Sequence, residues 1–227
     1  MPKKLAVFVE GLTEQEFVIS LLKELAGKRG VAFNIQKQHK GHLSLVELRS
    51  HPNPDVEVLI ANCDTDNQVK SQIADQYQSL CNAGYSLIIG LRDVHPLAHQ
   101  DIPRLQKYLS TGLPNGGVPI HLHLAILEVE AWFLEELTHY ARIDQNISNT
   151  DLVAGGFDYG KVRACDLGHP AMILDEIYKR AGKRYTKKRN RIQRTIDALS
   201  FEEMYVNVRQ KSQSLDGFVH SLEMGVF

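Results

Sequence analysis

Short runs of β-branched and aromatic residues alternate along this chain with segments of helical periodicity. No other feature restricts its possible folds as much. Apolar runs at 5–9, 33–38, 56–62, 86–91 and 120–127 read as buried strands. Between them lie helical segments: one capped by Thr13 and ended by Gly27, a short one at 42–49 closed by His-Pro-Asn-Pro, then 68–82, 102–109 and 129–140. Thr13 with Glu16 three residues on spells a capping box, and Phe17, Leu21 and Leu25 form the stripe that faces a sheet. Strands alternating with helices predict an α/β fold with a mostly parallel sheet covered on both faces. Beyond about residue 141 the pattern changes to Gly/Asp-rich loops. Helices follow at about 169–181 and 187–199, with a shorter one near the C-terminus. The expected organisation is therefore an α/β core over 1–140 and a mainly helical, basic extension over 141–227.

Several function classes drop out at once. No apolar run approaches the roughly 18 residues of a membrane span, and the Met-Pro-Lys-Lys start does not resemble a signal peptide. Cys63, Cys81 and Cys165 have neither pairing nor zinc spacing, which predicts reduced thiols in a cytoplasmic protein. Phosphate-binding glycine loops are absent, and no serine or cysteine sits in a nucleophile context. The net charge of −1 hides a division. Residues 1–136 carry 12 Lys/Arg against 16 Asp/Glu, and 137–227 carry 14 against 11.

In parallel sheets, functional groups gather where strands end. Glu10 follows the first strand, and Gly11 permits the sharp turn after it. Glu14 lies in the next helix's first turn, where the helix dipole alone would favour a carboxylate. Asp93 follows the strand at 86–91, and Glu128 and Glu130 lie at the last strand–helix junction. On a strand the last two would share a face; on a helix they would not. Carboxylates delivered from separate strand ends suit a hard divalent cation such as Mg²⁺ or Mn²⁺. Asp64 and Asp66, in Asp-Thr-Asp after another strand, are the alternative metal position.

From Lys179 to Arg194 nine Lys/Arg occur with no acid, including Lys183, Arg184, Lys187, Lys188, Arg189 and Arg191. Cations at this density suit a phosphate backbone, and Tyr178 or Tyr185 could stack on an unpaired base. A solvated helix face is the competing explanation. His121 and His123 share a strand face without a third ligand nearby, while Trp132 and Phe133 read as core anchors.

The stretch Val-Glu-Gly-Leu-Thr-Glu ending at Glu14 resembles the opening motif of Toprim domains. More closely, the chain resembles a bacterial Toprim-like family of unknown function, related to the Toprim domain of OLD-type nucleases and often found near ATPase genes in phage-defence loci. Asn62 to Asn67, Gly84 to Pro96 and Leu127 to Leu134 carry that resemblance. It implies a Mg²⁺- or Mn²⁺-dependent nuclease on DNA or RNA, with a partner ATPase, and is compatible with a homodimer. Glu10 then takes the acid/base position and Asp93 the first place of an Asp-x-Asp metal motif. His95 stands at the second place, a departure that favours Mn²⁺ over Mg²⁺. Glu128 or Glu130 would supply the missing carboxylate, and Arg92 or Lys70 would neutralise the phosphate. The alternative is a non-catalytic Toprim-like module that binds nucleic acid or a partner protein.

Overall fold

The computed structural model describes all residues except Asp66, His95, Pro96 and Ala98, and describes His99 by its backbone alone. In the predicted α/β class, six strands form one sheet in the order β3-β2-β4-β1-β5-β6. These are β1 (Lys3–Val9), β2 (Val31–His39), β3 (His42–Arg49), β4 (Val56–Asn62), β5 (Leu87–Asp93) and β6 (Ile120–Ala125). β1 runs parallel to β4 and β5, and β2 parallel to β4. The Ile88 N–H bonds the Pro119 carbonyl and the Val94 N–H the Ala125 carbonyl, so β5 and β6 also advance together.

Strand alternation places apolar side chains on both faces, as a doubly covered sheet requires. Ala6, Phe8, Leu59, Ala61 and Ile88 pack with Val69, Ile73, Tyr77 and Leu80 of helix α2 (Gln68–Asn82). On the opposite face, Leu5 meets Gly225 of the C-terminal helix, numbered α11 below. Helix α1 (Leu12–Ala26) also covers that face: its Glu16 pairs at 3.3 Å with Arg49, which stands opposite Phe33. Helix α3 (Ile102–Ser110) precedes β6.

Two compact units divide the chain. The first comprises 1–92, 100–124 and 217–227; the second comprises 93–99 and 125–216. The second unit takes in Asp93 at the end of β5 and Ala125 at the end of β6, and the chain's last residues belong to the first. The second unit contains α4 (Glu130–Glu135), α5 (His139–Ile143), α6 (Asn149–Ala154), α7 (Pro170–Arg180) and α8 (Arg189–Ala198). Next come α9 (Phe201–Glu203), a π turn (Met204–Val208) and α10 (Arg209–Lys211), then α11 (Gln213–Val226), which begins in the second unit and finishes in the first.

Four local expectations are corrected. Residues 42–49 form β3, antiparallel to β2, rather than a short helix. Lys40 and Gly41, at φ 50° and 87°, make the two-residue hairpin turn, a backbone geometry that twists with the strands it joins. Thr13 is not a cap: α1 starts one residue earlier behind Gly11, the buried Thr13 hydroxyl has no hydrogen-bond partner among the described residues, and Glu16 turns to Arg49. The expected helix over 129–140 is broken after Glu135. There the buried Glu136 carboxylate accepts from the Thr138 N–H and hydroxyl and the Ser200 N–H, replacing helical bonds by side-chain ones. The C-terminal helix is 14 residues long, not short. Among the described residues no helix is long and apolar enough to cross a membrane.

Candidate metal centre

The site is assembled around the turn that follows β6. Leu127, 7 % exposed, sits at φ 68°, a region that costs a non-glycine residue about 1–3 kcal/mol and is kept where the surroundings enforce it. That reversal ends the strand at Ala125, two residues earlier than the apolar run suggests, and puts Glu128 in the loop and Glu130 at the start of α4. Asp93, the last residue of β5, fixes the turn: its Oδ1 accepts from the Val129 N–H at 3.2 Å.

Each of Asp93, Glu128 and Glu130 offers a carboxylate oxygen within 4.8 Å of the other two. Asp93 is 3 % exposed and Glu130 fully buried. Glu128 is held at the start of α7, where its Oε2 accepts from the Ala171 N–H at 3.0 Å. Glu130 Oε1 accepts from the Tyr185 hydroxyl at 2.6 Å, while its Oε2 has no hydrogen-bond partner among the described residues. Burial pushes the Glu130 carboxyl up from its ordinary value, and the charge on Glu128 adds to this; Lys187 and the Tyr185 hydroxyl pull it back. The Lys187 ammonium stands 3.7 Å from Glu130 and 3.9 Å from Glu128.

Among the described residues, the Lys187 ammonium is thus paired with two of the three carboxylates. A buried carboxylate oxygen with no donor is costly, and a cation is the partner that would satisfy it. All-oxygen donors are those of hard divalent ions. The residues present therefore fit a metal ion.

Among the described residues, the other candidates are not members of this cluster. Glu10 follows β1 in the first unit, leaving the sheet level with Arg92, since Val9 pairs with Leu91. Glu14 is 2 % exposed, and its Oε2 curls back to within 3.1 Å of the space beside Gly11. Arg92 is buried at 5 % exposure. The Lys70 ammonium donates to the Tyr108 carbonyl and lies over that ring. Asp64 is exposed and paired with Lys37 at 3.2 Å; Asp66 and His95 lie outside the described residues. His121 Nδ1 and His123 Nε2 both bond the Ser221 hydroxyl at 2.9 Å.

The basic run is also redistributed. Lys179 and Arg184 pair with Asp175, just upstream of the run, and Lys187 faces the acidic centre. Arg191 donates to the Thr186 hydroxyl at 3.2 Å. Lys188 and Arg189 are exposed and Lys183 half-buried, and none of these three has an ion pair among the described residues. Tyr178 and Tyr185, at 0 % and 3 % exposure, are core residues, which corrects their expected role in base stacking. Trp132 and Phe133 are core anchors as expected, with the Trp132 indole donating to Ser214 at 3.1 Å.

What sequence reasoning missed is the pairing of Tyr185 with Glu130 and of Lys187 with both glutamates. They lie 55 or more residues apart along the chain, and the only signal was charge complementarity between the acidic junction and the basic run. No protein-family profile and no curated protein sequence matches this chain, so the reading of the centre rests on its own geometry.

Proposed function

We propose that the second unit houses a divalent-metal centre, holding Mg²⁺ or Mn²⁺, that hydrolyses phosphodiester bonds in DNA or RNA. The observation that carries this reading is the convergence of Asp93, Glu128 and Glu130 with one buried glutamate oxygen left without a donor. A bound ion would supply phosphate polarisation and an acidified water. Asp93 and Glu130 are fixed by Val129 and Tyr185, so the carboxylates are oriented before any ligand arrives. Exposed Lys188 and Arg189, next in the chain to Lys187, would bind the phosphate backbone. The resemblance to Toprim-type nucleases gives Glu10 the proton-transfer role and adds a cytoplasmic defence setting with a partner ATPase.

The test is cleavage of plasmid, tRNA and single-stranded DNA with Mn²⁺. The account expects cleavage of at least one substrate, abolished by chelator and by Asp93→Asn or Glu10→Ala. Cleavage that survives chelator, or no cleavage of any substrate, removes the hydrolytic reading. One observation favours a second reading, a non-catalytic nucleic-acid-binding module: Lys187 already partly neutralises the centre. Such a module would bind tRNA or single strands equally well with chelator present, as read by fluorescence anisotropy.

A further inference from the structure

The acidic centre already contains a cation of its own, on a segment remote from the carboxylates in sequence. We infer that Lys187 is an internal counter-ion that competes with the metal ion, and that metal binding releases its ammonium; this inference rests on the metal-centre reading above.

The geometry is specific. Lys187 Nζ lies 3.7 Å from Glu130 Oε1 and 3.9 Å from Glu128 Oε1, thus touching two of the three carboxylates that define the cluster. These separations are ion-pair distances beyond the reach of a direct hydrogen bond, so the ammonium balances charge without closing the site. The oxygen of Glu130 without a donor is Oε2, not the Oε1 that Tyr185 and Lys187 address. The Glu130 Oε2 acceptor is thus left without a donor among the described residues, which a dication would satisfy.

The lysine side chain is 54 % exposed, whereas Glu128 is 12 % and Glu130 0 % exposed. The lysine is consequently the most solvent-exposed member of the group, while its partners are held by α7 and Tyr185. Two cations cannot share this space without repulsion, so ion and ammonium exclude one another. Once displaced, Lys187 adjoins Lys188 and Arg189 in the chain, both exposed, and joins them as a phosphate ligand. Metal loading and substrate binding are thereby coupled through one side chain: the ion that activates the centre also turns the lysine outward.

Mn²⁺ binding to the full chain, measured calorimetrically without substrate, tests this. Lys187→Met should bind Mn²⁺ roughly three- to fivefold more tightly than the unsubstituted protein, the scale of one partly exposed ion pair. Lys187→Arg, which keeps the charge, should stay within about twofold. If the unsubstituted chain binds one Mn²⁺ and Lys187→Met binds it no more tightly, or Lys187→Arg tightens as much as Lys187→Met, the counter-ion role is wrong and the metal centre stands. If neither the unsubstituted chain nor Lys187→Met binds Mn²⁺ while both retain their circular dichroism spectrum, the metal centre itself is wrong and the inference falls with it.

Discussion

Replacing Glu130 by glutamine should make the metal-free protein more stable at pH 8, the reverse of what a structural glutamate would do. The substitution keeps the shape of the side chain and the Tyr185 hydroxyl bond, since a glutamine carbonyl accepts as the carboxylate does. It removes a fully buried charge whose second oxygen has no donor among the described residues, a defect worth about 1–3 kcal/mol. It gives up a pairing with a half-exposed lysine at 3.7 Å, worth about 0–1 kcal/mol. The net gain is about 0–3 kcal/mol, or a rise in Tm of up to roughly 12 °C for a chain of this size. The gain has a definite pH dependence. Burial raises the folded-state value of Glu130 above the ordinary 4.5, so its folded state favours the proton. The stability this contributes is complete below 4.5 and is lost as pH rises through the raised value. Glutamine cannot ionise, so the advantage of the variant should be near zero at pH 4 and should grow as pH rises through the raised value. Urea unfolding in chelator at both pH values, with the difference taken at each, isolates this group from every other titration. A variant that is less stable than the unsubstituted protein at pH 8 by more than about 1 kcal/mol would refute the reasoning, because Glu130 would then be a well-paired structural ion.

Tyr185→Phe should cost about 1.5–3 kcal/mol, the value of a hydrogen bond to a charged group, and that loss should fall to about 0.5–1.5 kcal/mol, the value of a neutral one, in the Glu130→Gln background when both are measured as a double-mutant cycle. Glu136→Ala removes a buried carboxylate that accepts from Thr138, Ser200 and, at 3.0 Å, Arg142, so a loss of about 3–5 kcal/mol in chemical unfolding is expected; a loss under about 1 kcal/mol contradicts the role given to it at the α4–α5 break. Acid should also weaken the protein: burial lowers His123 from 6.5 to about 4 and His139 from 6.5 to about 3, so the folded state resists protons that the unfolded chain accepts. Stability should fall as pH drops below 6.5, with the His123 part, up to about 3 kcal/mol, complete near pH 4 and absent in His123→Gln.

Where single elements carried unambiguous patterns, the sequence reading and the structure agree. Helix α2 spans Gln68–Asn82 and strand β4 Val56–Asn62, with the expected bounds, because each is a regular run ended by turn chemistry. β3 misled for a physical reason. Ile35 pairs with Glu47 and Gln36 with Leu45, so Val46 is an extra, unpaired residue that breaks the two-residue alternation. With that insertion, Leu43 and Val46, and Leu45 and Leu48, fall at a spacing of three, which imitates a helix. The acidic residues of the centre were legible as types at strand ends, and Asp93, Glu128 and Glu130 do converge. Which of the two glutamates would face the site was not legible. Both do, because the positive φ at Leu127 turns the chain between strand and helix, and no residue type announces that turn. Tyr185 and Lys187 were visible only as part of a charged surface, since their partners are set by tertiary packing.

The most direct test of the central claim is a crystal grown in MnCl₂ and measured at the manganese absorption edge. The account predicts an anomalous peak bound by oxygens of Asp93, Glu128 and Glu130, with the Lys187 ammonium moved off the two glutamates. Density without that peak, and Lys187 still resting on Glu128 and Glu130, would contradict it.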